Sequence, residues 1–238
     1  MKLLHIVPVT GDVITPGMLE FLAEPLDKDT VLVTEQIKKG PASIECGYDE
    51  ALASPPILEI CGQAKELGCE GIFINCFGDP AVEAARELVD MPVFGGFVPG
   101  ALIASGLADR FTIITVLDNV VRMIHSNIAK LGLSSKLGSV RVVNMPVLEL
   151  GHQDELYRQL TIQSIKAVEE DGAQAILFGC TGMIGGTQTI YNGLLEKGYD
   201  IPVIDPAQTS VKMIETCVKL GIKPSRMTYL PIPDKERV

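Results

Sequence analysis

The sequence predicts an α/β protein of two pseudo-symmetric domains, each a mostly parallel sheet flanked by helices, with an active cleft between them. Two observations carry this. Short, continuously apolar runs of strand length alternate with helical patterns along the whole chain, as in parallel sheets covered on both faces. One segment also occurs twice: Leu67-Gly68-Cys69-Glu70-Gly71-Ile72-Phe73-Ile74-Asn75-Cys76-Phe77-Gly78 matches Asp171-Gly172-Ala173-Gln174-Ala175-Ile176-Leu177-Phe178-Gly179-Cys180-Thr181-Gly182. In each copy a glycine (Gly68, Gly172) stands eight residues before a cysteine, and another (Gly78, Gly182) two residues after it. Each copy closes on a proline and an apolar strand, Met91-Pro92-Val93-Phe94-Gly95 and Ile201-Pro202-Val203-Ile204-Asp205.

The elements follow in order. Buried strands are expected over 3–9, 30–36, 71–75, 92–95, 111–116, 140–145, 175–178 and 202–204. Thr15-Pro16, Ser54-Pro55 and Asp79-Pro80 each pair a capping side chain with proline at the first helical position, where the missing N–H costs nothing. Asp118 precedes a helix over 119–131 that Gly132 ends, and a long amphipathic helix runs over about 154–170 before Gly172. The stretch 209–221 is again helical in pattern. The repeat divides the chain into a first domain, 1–97 plus 209–238, carrying Cys76, and a second, 98–208, carrying Cys180.

Composition narrows the function. The 238 residues are 47% hydrophobic and 21% charged, which suits a well-packed soluble protein. A net charge of -10 with no basic cluster argues against nucleic acid as a partner. No run approaches the ~20 apolar residues of a membrane span, and the apolar start, Met1 to Val9, is too short for a secretory signal. Six cysteines without framework spacing read as reduced thiols of a cytoplasmic protein. There is no Cys-x-x-Cys pair, and His5, His125 and His152 are scattered, so neither metal nor cofactor is expected.

Both repeated cysteines fall just past the carboxyl end of a strand, where ligands of open parallel sheets bind. Two thiols on opposite walls of one cleft form an acid/base pair: one removes a proton beside a carbonyl, the other returns one to the opposite face. A thiol of pKa ~8.5 needs help to ionise, and a following helix N-terminus supplies it. Gly78 and Gly182 let backbone N–H groups approach a carbonyl oxygen as its charge grows. A cysteine after a strand is ordinarily an inert small hydrophobe; the matched repeat sets Cys76 and Cys180 apart. Cys46, Cys61, Cys69 and Cys217 have no such pairing, and Cys69 stands where the second copy has Ala173. Thr10 and Thr115, at strand ends, and Ser43, in a loop, are further candidates for substrate contact. Asp79 is read as a helix cap, and His125 as a structural or surface residue.

These residues resemble the hydantoin racemase branch of the aspartate/glutamate racemase superfamily over nearly the whole chain. The blocks are Gly40-Pro41-Ala42-Ser43-Ile44-Glu45 with Tyr48-Asp49-Glu50, Asn75-Cys76-Phe77-Gly78-Asp79-Pro80, Arg110-Phe111-Thr112-Ile113-Ile114-Thr115, the stretch 140–148, and Phe178-Gly179-Cys180-Thr181-Gly182-Met183. The resemblance implies two pseudo-symmetric α/β domains and cofactor-independent inversion at the acidic carbon of a five-membered ureide ring, a 5-substituted hydantoin or allantoin. It implies Cys76 and Cys180 as the catalytic pair, and Phe77, Gly78, Thr181 and Gly182 around the ring. It also implies a homo-oligomer. Two departures alter the recognition shell. Val7-Pro8-Val9-Thr10 replaces the family's common Asn-Pro-Asn-Thr, and Gly95-Gly96-Phe97-Val98-Pro99-Gly100-Ala101 replaces a Gly-x-x-Glu-Ala element, so Phe97-Val98-Pro99 is expected to make the pocket wall more apolar.

Other readings keep different parts of this. A racemase of free aspartate or glutamate keeps the chemistry but needs polar anchors for an α-carboxylate, as does a related isomerase. The superfamily's arylmalonate decarboxylase type depends on one cysteine, where two stand here. A non-catalytic binding protein keeps only the fold.

Overall fold

The computed structural model describes residues 1–236. In chain order its elements are β1 (Lys2–Val7), α1 (Pro16–Ala23), β2 (Val31–Gln36), α2 (Gly47–Gln63), β3 (Gly71–Ile74), α3 (Val82–Leu88), β4 (Val93–Phe94) and α4 (Phe97–Leu107). The second half has β5 (Phe111–Thr115), α5 (Asp118–Lys130), β6 (Leu137–Val142), α6 (Gln153–Asp171), β7 (Ala175–Phe178), α7 (Thr187–Leu195), β8 (Val203–Ile204) and α8 (Pro206–Lys219). The strands form two four-stranded sheets of identical order, β2-β1-β3-β4 and β6-β5-β7-β8. All six strand pairs are parallel. The central strands β3 and β7 are buried throughout, which is why they read as unbroken apolar runs.

The helix following each sheet's last strand crosses to the other sheet. After β4, α4 lies against β7, and Phe97, Ala101 and Ala104 join the core of the second half. After β8, α8 lies against β3, and Ala207, Val211 and Ile214 pack with Leu3, Leu22 and Phe73 of the first half. The two crossing helices also touch each other. Gly71 is required here, because a Cβ would strike the Ile214 side chain. The exchange turns the carboxyl ends of β3 and β7 toward one shared space.

Several local expectations hold and three need correction. Thr15 caps α1 by accepting from the Met18 N–H at 3.1 Å, with Pro16 at the first helical position. Gly132 and Gly172 end α5 and α6 at positive φ. By contrast α2 does not begin at Ser54-Pro55; it runs through both Pro55 and Pro56. The prolines are tolerated because the carbonyls of Ala51 and Leu52, left without donors, lie on the exposed side. Helix α5 begins at Asp118, with Leu117 at the cap and no side-chain capping bond. Strand β6 begins three residues before the expected Val140, since Gly138 and Ser139 lie within it and Ser139 meets Thr112 side chain to side chain at 3.0 Å. The apolar Val143 and Met145 come after the strand, with Asn144 at φ 55 turning the chain.

Truncating α8 tests its place in the first core. Ile214→Ala is expected to cost about 2–5 kcal/mol of unfolding free energy, read as a lower urea midpoint at unchanged m-value.

Candidate active site

The cysteines stand two residues beyond β3 and β7, in pseudo-equivalent loops, and both line one cavity of about 380 Å³. Each sulfur accepts a hydrogen bond from the glycine two residues on: Gly78 N–H to Cys76 Sγ at 3.4 Å and Gly182 N–H to Cys180 Sγ at 3.4 Å. The expected helix N-termini do not supply this stabilisation. Helices α3 and α7 begin only at Val82 and Thr187, several residues past the sulfurs. Burial pushes the Cys76 thiol far above its ordinary value; the Gly78 N–H opposes this, and Cys180, Glu50 and Asp79 reinforce it. Burial pushes the Cys180 thiol up to about 11, against the Gly182 N–H and with Glu45 and Asp205 adding to the rise.

Phe77, Gly78, Thr115, Thr181 and Gly182 line the cavity with the cysteines. The Thr115 hydroxyl already donates to Gly179 O at 3.0 Å, so its proton is engaged within the fold. Thr10 and Ser43 are not part of the lining. Thr10 is exposed, and its N–H and hydroxyl both reach Pro41 O, at 2.9 and 3.2 Å, fastening one loop to another. That loop gives the cavity Ile44 in place of Ser43. Val7, Pro8 and Val9 line the cavity.

The Phe97-Val98-Pro99 segment is not wall. It is the first turn of α4, with Phe97 buried edge-on against Phe77 at 5.5 Å between ring centroids. The apolar surface comes instead from side chains that sequence reasoning passed over: Val13, Ile44, Met123, Val147, Leu148 and Leu150. Nothing in their residue type marks them, since they meet only when distant loops converge. Among the described residues, Asp12 is the one charged side chain in the lining, and no lysine or arginine is present there.

Asp79 caps a different helix from the one expected. At φ 57 it turns away from α3, and its carboxylate accepts from Phe97 N–H at 2.8 Å and Val98 N–H at 3.2 Å, at the start of α4. In the second half Asp205 accepts from Ala207 and Gln208 N–H, both at 2.8 Å, at the start of α8. Asp205 matches Gly95 in the repeat, and a Cβ on Gly95 would run into the Asp79 side chain. One carboxylate therefore fills the same place in both halves from two different sequence positions.

Among the described residues no group of three or more His, Cys, Asp or Glu side chains could hold a metal ion, and no helix is long and apolar enough to cross a membrane.

A family model for Asp/Glu/Hydantoin racemase matches residues 3–214. The chain belongs to this family. It is a racemase, an isomerase acting on a small molecule. The racemase is 37% identical over 237 residues to a hydantoin racemase of Pseudomonas sp. (strain NS671), covering 99% of this chain and 93% of the relative. It is 30% identical over 240 residues to the hydantoin racemase of Paenarthrobacter aurescens, covering 100% of this chain and 99% of that one. Among solved structures it resembles allantoin racemase from Klebsiella pneumoniae, with a TM-score of 0.88 at 31% identity, over 100% of this chain and 96% of the other. The two parallel sheets and their flanking helices are the fold of these enzymes.

The buried acids of the racemase give its stability a pH signature. Burial pushes Glu50 and Asp79 up to about 7 and Asp205 up to about 6. The folded chain therefore binds protons that the unfolded chain has released. Their contribution is complete below the ordinary carboxylate range, ~4, and is lost as pH rises through about 6 to 7. Buried His5, held down to about 4, acts in the opposite sense: its contribution is full above ~6.5 and lost as pH falls through about 4. The Tm should thus fall between pH 6 and 8, and Asp79→Asn should lessen that fall by roughly 5 °C, read by thermal scans across the range.

Proposed function

We propose that this racemase inverts the acidic ring carbon of a 5-substituted hydantoin or an allantoin-like ureide, with Cys76 and Cys180 as the two acid/base groups. The observation that carries the reading is the pair of cysteines at matched strand ends, both opening into one small cavity and each with a glycine N–H on its sulfur. One thiolate removes the ring C–H proton. The bonding pair moves into the ring as an enolate, and the carbonyl oxygen takes the charge. The opposite thiol then gives its proton to the other face of the carbon and is left as the thiolate. The reverse direction exchanges the roles.

Donors for the enolate oxygen come from the same loops. Gly78 and Gly182 direct their N–H groups at sulfur, whereas the adjacent N–H groups of Phe77 and Thr181 make no hydrogen bond among the described residues. Those two donors beside the sulfurs suit a carbonyl oxygen whose charge grows in the transition state. The Thr181 and Thr115 side chains, Gly78 and Gly182 complete the polar edge, against a wall of valine, leucine and isoleucine.

The cavity favours a ring over a free amino acid. An α-carboxylate is best anchored by a cation, and the lining supplies no lysine or arginine but does supply Asp12. A neutral ureide ring needs no such anchor. Its ring carbon is also the stronger acid, flanked by a carbonyl that carries no competing negative charge.

The test is racemisation in heavy water with each enantiomer of a panel of 5-substituted hydantoins, allantoin, aspartate and glutamate. Inversion with deuterium entry at the ring carbon is expected for the ureides. Cys76→Ser and Cys180→Ser should each lower the rate by ~10²–10⁴-fold. Near-normal racemisation by both single variants would sink the two-thiol reading.

A further inference from the structure

The loops around the two sulfurs are alike in backbone and unlike in one neighbour. A Cβ on Gly78 would lie 3.7 Å from Cys76 Sγ and collide with the Glu50 carboxyl oxygen Oε1. A Cβ on Gly182 would lie 3.6 Å from Cys180 Sγ and 3.1 Å from a methyl carbon of Leu150. At the same place in the repeat, Cys76 thus faces a carboxyl across its glycine, and Cys180 faces a hydrocarbon. Glu50 comes from α2, four residues into the helix, and its Oε1 is buried with no hydrogen-bond partner among the described residues. Helix capping and ion pairing do not account for it.

We propose that Glu50 is a positioning residue for the proton transfers, acting through Cys76: the gain or loss of its proton sets how readily Cys76 carries negative charge, and so which cysteine holds the thiolate. The inference rests on the reading of Cys76 and Cys180 as the acid/base pair. The titratable groups around Glu50 are Cys76 and Asp79 on the loop after β3, and Lys130 on α5, with Asp49 beside it on its own helix. Lys130 favours the ionised carboxylate, but burial outweighs it. With Glu50 protonated, a thiolate at Cys76 meets a neutral neighbour. Once Glu50 gives its proton to solvent, a thiolate there meets a like charge in a poorly solvated wall, and the balance shifts further toward Cys180, the less strongly raised of the two thiols. Glu45 and Asp205 bear on Cys180 instead: Glu45 accepts from Val147 N–H at 2.7 Å, and Asp205 accepts from Ala207 and Gln208 N–H on one oxygen while its other, like Glu50 Oε1, is buried without a partner among the described residues. Ionisation of Asp205, at about 6, opposes a thiolate at Cys180, whereas Glu50 opposes one at Cys76, so the two act on the ratio of the thiols in opposite senses.

Site-resolved alkylation tests this without relying on turnover. Wild-type protein is treated with iodoacetamide at a series of pH values, and the rates at Cys76 and Cys180 are read by peptide mass spectrometry. Ordinary ionisation raises both rates together, so the ratio reports the charges that build up beside each sulfur, and the Glu50 variants pick out the share due to Glu50. The Cys76-to-Cys180 ratio is expected to fall about tenfold as pH rises through about 7. In Glu50→Gln the fall should be at least halved, the remainder being that of Asp79, with Cys76 alkylated faster than in wild type only above that pH. Glu50→Asp, which keeps a titrating carboxyl, should restore a fall. A constant ratio in wild type overturns the proposal, and this arm needs no variant to fold. An undiminished fall in Glu50→Gln also overturns it, and assigns the effect to Asp79. If Cys76→Ser and Cys180→Ser kept racemase activity, the acid/base reading would fail, while the alkylation ratio would still report on Glu50.

Discussion

The site depends on an exchange of helices between the two halves. Helix α4 leaves the first sheet and packs on β7, α8 leaves the second and packs on β3, and the two helices touch. Each half thereby supplies a buried face of the other's core, with Phe97, Ala101 and Ala104 in one direction and Ala207, Val211 and Ile214 in the other. Burial of Phe97, Val211 and Ile214, at roughly 1.5–3 kcal/mol each, fastens the two halves to each other. It holds the carboxyl ends of β3 and β7, and the loops that carry the two cysteines, toward one cavity. The proton transfer proposed for Cys76 and Cys180 requires such a shared space.

Much of the architecture was legible in the sequence, because its signals are local. Continuous apolar runs such as Ala175–Phe178 announced buried strands, Thr15-Pro16 a helix start, and Gly172 a helix end. The repeat around Cys76 and Cys180 was visible because internal symmetry leaves its trace in spacing. What escaped was non-local. Asp79 looks like the cap of the helix beside it, yet it serves α4, eighteen residues on. Thr10 and Ser43 have the residue types of substrate contacts, but hydrogen bonding to Pro41 and the turn of the loop place them outside the cavity. Leu148 and Leu150 carry no mark of their role until the chain after β6 closes over the site.

The two halves have kept the same electrostatic solution by different residues. A helix start pointing at a buried loop leaves unsatisfied N–H groups, and in both halves a buried carboxylate meets them: Asp205 from within its own turn, Asp79 from across the loop after β3. Gly95 is the counterpart of this change, since only a residue without a Cβ leaves room for the Asp79 carboxylate. Where the halves are not equivalent, as at Glu50 and Leu150, the difference bears on the sulfurs themselves. Pseudo-symmetry thus gives two similar thiols, while local substitutions make them chemically distinct.

The helix exchange also has a consequence for the order in which the protein can mature. A ribosome releases β1 and β3 well before the segment Pro206–Lys219, whose helix packs on Leu3 and Phe73. Until that segment emerges, the first sheet has one apolar face open to water and to other nascent chains. The first half therefore completes this part of its core only after the second half has been made, through contacts between segments far apart in sequence. The cavity shared by the two halves thus waits on the same segment.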